Sequence, residues 1–299
     1  HNGSMWIGYW GEGLVKLNKN SNYFDVEEYQ YNPENEFSLS NNFVRDILED
    51  SHKNIWVGTV SGLNRIKSTT KDKLKFERFL KDDQDKNSLS NNHILDIFQS
   101  KSGKIYVGTF GGGLNEIEVL DNDELKFEHY KIQQGLPSNV VYQIAEDIEG
   151  NIWMMHIREI SKLDIQTGKI SYYDRHNGFQ ISEFKDNSML KTSSGMFLFG
   201  GVTGFTFFNP ENLSSNKSEP NIVITDFKLF DETITTGTKV KNTLIFEKDI
   251  NETDKITLPH DLNFLEFHFS SLHYSNPDKN QYKYILEGFE ENWQFSTGN

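Results

Sequence analysis

Three side chains able to do acid–base and hydrogen-bonding chemistry crowd one short stretch. They are His156, Arg158 and Glu159 in "NIWMMHIREISKL" (151–163). A second basic pair, Arg175 and His176, stands in "DRHNGF" (174–179). Tyr9 and Trp10 open "YWGEGL" (9–14), and Phe110 sits in "TFGGGL" (109–114). Such groups suit sugars and acidic sugars. Aromatic rings stack on apolar sugar faces, and arginine offers paired hydrogen bonds to carboxylate or sulfate. Each of these residues also fits an ordinary solvated loop variant, and Trp10 also fits a packing role.

Other chemistries lack their residues. The chain has no cysteine, so thiolate and disulfide chemistry are excluded. Neither a nucleophile elbow nor a zinc-protease helix is present. "GGVTG" (200–204) has no Lys-Ser/Thr or helix after it, so it reads as a turn rather than a phosphate loop. His268 and His273 are five apart on and just after a strand and need not share a face, so no metal site is expected. Asp46, Glu49, Asp50 and Asp96 recur at equivalent places and read as turn and strand-end groups. A glycosidase needs two acids at a set separation in one pocket, and nothing singles out such a pair. No cofactor is expected.

The elements that would hold these residues repeat. Aligned on one aromatic position, Trp6, Trp56, Tyr106, Trp153 and Leu198 follow at steps of 50, 50, 47 and 45 residues. Upstream, "SLSNNFVRDILED" (38–50) matches "SLSNNHILDIFQS" (88–100) and, more loosely, "GLPSNVVYQIAED" (135–147). Each unit reads as four short strands with turn residues between them. A period of 40–50 residues with four strands per unit predicts an all-β chain of β-propeller blades. In "IWVG" (55–58) both alternating faces are apolar, as a strand between two neighbouring sheets requires. Gly58, Gly108 and Gly200 predict a close approach by the neighbouring blade. Trp56 is then a wedge between blades, and the repeat loops lie on one propeller face with the candidate site residues.

The blade count is about five, an incomplete arc. The first unit begins at its second strand and the last lacks its outer strand, which gives eighteen strands. This reads as a piece of a longer propeller whose earlier blades lie upstream, with apolar open faces that would pair in a homodimer. Residues 1–4 read as a tag remnant, 5–210 as blades and 211–221 as a polar linker. Residues 222–299 read as the start of a partial immunoglobulin-like β-sandwich. Its expected strands lie at 221–234, 242–250 and 255–258. Leu265, Phe267 and Phe269 then form a buried face, and Tyr282, Tyr284 and Leu286 another.

Composition sets outer limits. The 299 residues are 13% aromatic and 25% charged, which suits a folded soluble protein. A formal charge of −14 opposes phosphate backbones, so nucleic acid is not an expected partner. No apolar run reaches the roughly 18 residues of a membrane span.

The stretch "NPENEFSLSNNFVRDILEDSHKNIWVGTVSGLNRI" (32–66) resembles the two-component-regulator propeller repeat. "LNFLEFHFSSLHYSNPDKNQYKYILEGFEENW" (262–293) resembles the start of the triple-tyrosine domain that follows such repeats, and "FLFGGVTGFTFFNP" (197–210) resembles a last blade. The order is that of the sensor half of hybrid two-component histidine kinases of gut Bacteroidetes. The resemblance implies a non-enzymatic periplasmic sensor of oligosaccharides from polysaccharide breakdown. It also implies a kinase and a membrane helix in segments absent from this chain. The alternative is a fragment of a propeller glycoside hydrolase or lyase.

Overall fold

The computed structural model describes residues 3–20, 23–67, 74–120, 123–177, 179, 183–213, 221–272, 282–290 and 292–296. The chain divides into two compact units, 1–214 and 215–299.

The first unit is a series of antiparallel sheets joined in chain order. The first sheet holds β1 (Ser4–Tyr9), β2 (Gly13–Lys19) and β3 (Phe24–Tyr29). The second holds β4 (Val44–Glu49), β5 (Ile55–Thr59), β6 (Gly62–Ile66) and β7 (Glu77–Phe79). The third holds β8 (Ile94–Gln99), β9 (Ile105–Thr109), β10 (Leu114–Val119) and β11 (Leu125–Tyr130). The fourth holds β12 (Gln143–Glu146), β13 (Ile152–Met155), β14 (Ile160–Leu163) and β15 (Ile170–Tyr173). The fifth holds β16 (Phe184–Lys191), β17 (Phe197–Gly201) and β18 (Gly204–Phe208). Among the described residues these are eighteen strands in five blades, the number read from the repeats. The strand that opens each four-stranded blade touches its counterpart in the next, β4 on β8 and β8 on β12, and β12 continues onto β16. These first strands therefore line the axis. The first strand already begins at Ser4, inside the segment read as a tag remnant.

Trp56 is 1% exposed. It packs with Leu63 of its own sheet and with Leu89, Ile94, Ile97 and Ile105 of the third. Tyr106 does the same between the third and fourth sheets, and Trp153 between the fourth and fifth. Burying a tryptophan removes about 150–250 Å² from water, worth up to ~4–6 kcal/mol against an extended chain. An apolar wedge with an indole N–H also needs an acceptor. Trp56 Nε1 donates to Asp50 Oδ2 at 2.9 Å, and Trp153 Nε1 to Asp147 Oδ2 at 2.9 Å. The third sheet has Tyr106 as its wedge and Ser100 in the acid's place, since a phenol has no indole N–H to satisfy. Asp50 also accepts from the turn amides of His52 and Asn54.

The expected close approach holds at two glycines and fails at a third. A Cβ on Gly58 would lie 2.6 Å from Ile94 Cγ2, and one on Gly108 2.7 Å from the Val141 carbonyl oxygen, both in the next blade. At Gly200 the close neighbour is Ser188 of the same sheet, at 3.0 Å. The fifth sheet has no following blade within the unit, so its own bulged first strand fills that space.

In the second unit, β19 (Ile222–Leu229) pairs with a short β20 (Glu232–Thr233). A ribbon of β21 (Lys239–Val240) and β22 (Thr243–Leu244) follows. Then β23 (Leu265–Ser271) pairs antiparallel with β19, and β24 (Tyr282–Tyr284) with β25 (Gln294–Ser296). Phe227, Leu229, Ile234, Ile245, Phe246 and Leu262 form the core. Several sequence expectations change here. Residues 255–258 form no strand, and of 242–250 only Thr243–Leu244 does, because Asp249 caps a turn of 3-10 helix instead. Leu265 and Phe267 are each 44% exposed, and Tyr284 and Leu286 are exposed while Tyr282 is buried. The alternation is present, but no second layer covers it among the described residues. The described pieces are a three-stranded sheet and two ribbons.

Candidate functional site

Each blade ends its second strand at the axial face, and the chain turns there before the third. The residue just past that strand is Trp10 in the first sheet and Phe110 in the third. Trp10 forms a bridge to Phe43, and Phe110 a bridge to Val140, so each turn is stitched to the start of the next blade. Asparagines secure the stitch. The Asn42 carbonyl accepts from Gly11 and Gly13, that of Asn92 from Gly62, and that of Asn139 from Gly111 and Gly113. Their side-chain oxygens accept from Tyr31, Lys81 and Ile132 amides. The recurring asparagines 42, 92 and 139 are therefore scaffold. They deliver residues 43, 93 and 140 to one mouth beside residues 10, 60 and 110.

Two aromatic pairs lie at that mouth. Trp10 meets Phe43 edge-on at 5.1 Å between ring centres, and His93 lies against Phe110 at 5.3 Å. Trp10 is 63% and Phe110 50% exposed. Arg45 joins the pairs: its guanidinium sits 5.5 Å from the centre of the Trp10 ring. It also reaches across the axis, donating from Nη2 to Asp186 Oδ2 at 2.8 Å. Burial, then the Arg45 charge, hold the His93 imidazole below its ordinary range. Tyr142 is raised by burial first, then by Asp186 and Glu183. Arg45, His93, Tyr142 and Asp186 thus share one electrostatic neighbourhood, drawn from four blades. Arg45 Nε and His93 Nε2 are enclosed and have no hydrogen-bond partner. A ring face beside a fixed cation is the arrangement that holds a sugar bearing a negative group.

The structure sorts the eight residues picked from sequence. Trp10 and Phe110 belong to the mouth. Tyr9 is exposed but alternates with Trp10, so it leaves from the other side of its strand. His156 is fully buried. Its Nδ1 bonds the Val140 carbonyl at 2.8 Å and its Nε2 the Ser161 hydroxyl at 2.7 Å. Burial lowers its pKa to about 4. His156 stands where Thr59 and Thr109 stand in the preceding sheets, and Ser161 where Asn64 and Asn115 stand. The expected ligand contact gives way to a scaffold bond, made possible by a paired exchange. Arg158 is exposed and Glu159 half-buried at the β13–β14 turn, and Arg175 is exposed in the short 3-10 helix Arg175–Asn177. They lie at the same end of the fourth sheet as the mouth. The His176 side chain lies outside the described residues, as does His273.

Sequence reasoning passed over Phe43, Arg45, His93 and Asp186. A signal was available: "SLSNNFVRDI" and "SLSNNHILDI" differ only at Phe43/His93, Val44/Ile94 and Arg45/Leu95. Two of these three differences are at the mouth. Asp50 is the turn group expected of it, but two of the repeated acids have another task. Asp46 Oδ2 accepts from the Ile97 amide at 2.7 Å and Asp96 Oδ2 from the Ile144 amide at 2.8 Å, each in the next blade. Gln143 does this with a neutral oxygen, accepting from Met189 at 2.6 Å. Burial raises both acids, and Asp96 is raised further by Asp46. They are latches between blades rather than the turn groups expected. Among the described residues no group of three His, Asp or Glu side chains is placed to hold a metal ion.

The comparisons with known proteins agree with this architecture. A family model described as two component regulator propeller matches residues 38–61, 88–111 and 135–156. These spans run from the loops that precede the first strands of the second, third and fourth blades to the ends of their second strands. Those three stretches carry the pattern of that propeller repeat. Histidine kinase P4 of Formosa agariphila is 30% identical over 98% of this chain, which spans 21% of that protein. The crystal structure of the extracellular domain of a Bacteroides thetaiotaomicron hybrid two component system superposes with a TM-score of 0.58 at 19% identity. That match covers 98% of this chain and 49% of the other. A second such domain from that organism gives 0.41 at 23% identity, covering 98% and 43%.

Proposed function

We infer that this chain is part of the extracytoplasmic sensor of a hybrid two-component regulator, and that it detects oligosaccharides from polysaccharide breakdown. The signal passes to a histidine kinase outside this sequence, and the sensor region works in the periplasm. The kinase relative and the propeller repeats support the signalling part. The mouth formed by Trp10, Phe43, Arg45, His93 and Phe110 carries the ligand part, since exposed rings flank a fixed cation at the convergence of several blades. No helix among the described residues is long and apolar enough to cross a membrane, so anchorage is assigned to other segments. A propeller carbohydrate-active enzyme is the less supported reading: the inner-strand acids Asp46 and Asp96 each accept a backbone amide, and Asp186 is paired with Arg45. Self-association is also proposed, through the open face of the fifth sheet, where Leu190, Phe205 and Phe207 are about 60–68% exposed. Calorimetric titration with neutral, uronic and sulfated oligosaccharides tests the ligand reading. Binding that disappears in Trp10→Ala and Phe110→Ala is the expected result, and silence across the panel overturns it.

A further inference from the structure

The Arg45–Asp186 pair is unlike the other ion pairs of the first unit. It links the first strands of the second and fifth blades, 141 residues apart, across the axis. The Arg45 side chain is 15% exposed and that of Asp186 44%, so water reaches the acid far more than the base. The base is also under-used. A guanidinium carries five N–H donors; Nη2 bonds Asp186, whereas Nε is enclosed with no partner.

Asp186 is equally unusual. The latch positions Asp46, Asp96 and Gln143 each accept an amide from the following blade, and in the fifth blade that position falls to Ser188, opposite Gly200. Asp186 lies just before it, outside the regular pairing, and directs its carboxylate to Arg45. The strand beneath it is irregular: its pairing with β17 shifts register between Phe184 and Met189. Asn187 there adopts a left-handed φ of 54°, and Lys185, Asp186 and Asn187 are all exposed. A carboxylate on a bulged, exposed segment is held in place by little besides the arginine.

We propose that Asp186 is a built-in stand-in for an anionic group of the ligand. A carboxylate- or sulfate-bearing ligand entering between Trp10 and Phe110 takes the Arg45 guanidinium from Asp186 and frees the exposed bulge 185–187 of the fifth blade. The site then selects acidic over neutral saccharides, and binding is coupled to a change in the first strand of the fifth blade. This rests on the reading of the mouth as the ligand site. No covalent step is involved; one ion pair replaces another.

The test uses the 299-residue chain and small probes at constant ionic strength: sodium glucuronate, sodium sulfate and glucose. Binding is read from the NMR signals of the His93 ring and the Trp10 indole. Glucuronate or sulfate shifts both signals and glucose does not. Asp186→Asn removes the competitor, and because a half-exposed ion pair is worth about 0.4–1 kcal/mol, anion binding tightens roughly two- to fivefold. Arg45→Gln weakens it by about tenfold or more. Thermal melts check that both variants fold. Equal binding by wild type and Asp186→Asn overturns the proposal, as does an unchanged response in Arg45→Gln. If Arg45→Gln does not fold, the Asp186→Asn comparison decides alone. Oligosaccharides that bind with no dependence on Asp186 leave the sensor reading standing and sink the exchange. Anion exchange at Arg45 with no oligosaccharide binding does the reverse.

Discussion

Trp56 and Trp10 belong to the same repeated element, one in the second strand of its blade and one just past its end. Trp56 is 1% exposed and Trp10 63%. The indole of Trp56 is shared by two sheets and its N–H is satisfied by Asp50. The indole of Trp10 rests on Phe43 and Arg45 with one side open. Four register positions separate these fates. Position in the blade, and not residue type, decides whether an aromatic residue is structure or surface. The same rule reassigns His156, which looks chemical in sequence and stands at a scaffold position.

Substitutions can sharpen or break this contrast. The largest effect is expected at a wedge. Trp153→Ala should lower unfolding free energy by about 3–5 kcal/mol, while Trp10→Ala changes it by less than about 1 kcal/mol. Urea titrations of both variants measure the gap, and similar losses would break the contrast. Acid comes next. The folded pKa of His156, about 4, lies below the ordinary value of 6.5. The unfolded chain therefore takes up its proton first. Stability is fully present above pH 6.5 and falls as pH drops toward 4, by about 3 kcal/mol from this group. Melting curves at pH 7 and pH 5 should converge in His156→Gln more than in wild type.

Removing the wedge's acceptor should cost less than removing the wedge. Asp50→Ala leaves the Trp56 N–H and two turn amides without their acceptor, at about 1–3 kcal/mol. The smallest effect is expected at a latch. Burial raises Asp96, so its ionisation with rising pH opposes folding. Asp96→Asn keeps an acceptor oxygen, as Gln143 does naturally, and removes the charge. A slight gain in melting temperature at pH 8 that vanishes at pH 4 is expected, and a loss at both pH values would show that the carboxylate itself is required.

Much of the propeller was legible because its signals are local and repeated. The apolar strand with its aromatic wedge, the turn glycines and the asparagines 42, 92 and 139 each recur at nearly constant spacing, and comparing copies separates scaffold from variation. The second unit offers no copies. There the alternation of Leu265, Phe267 and Phe269 is real, yet alternation states only that one face is apolar and not that a second layer covers it.

The sequence by itself determined the blade period, the eighteen-strand count and the buried role of Trp56, because strand alternation and repeat spacing are properties of neighbouring residues. It also contained the exchange of Thr and Asn for His156 and Ser161, visible once the slots are aligned. Only the tertiary structure decided which variant residues meet. Arg45 and Asp186 lie three blades apart, and no local pattern pairs them. They meet because successive twisted sheets curl around an axis, so that residues at equivalent strand starts face one another across it.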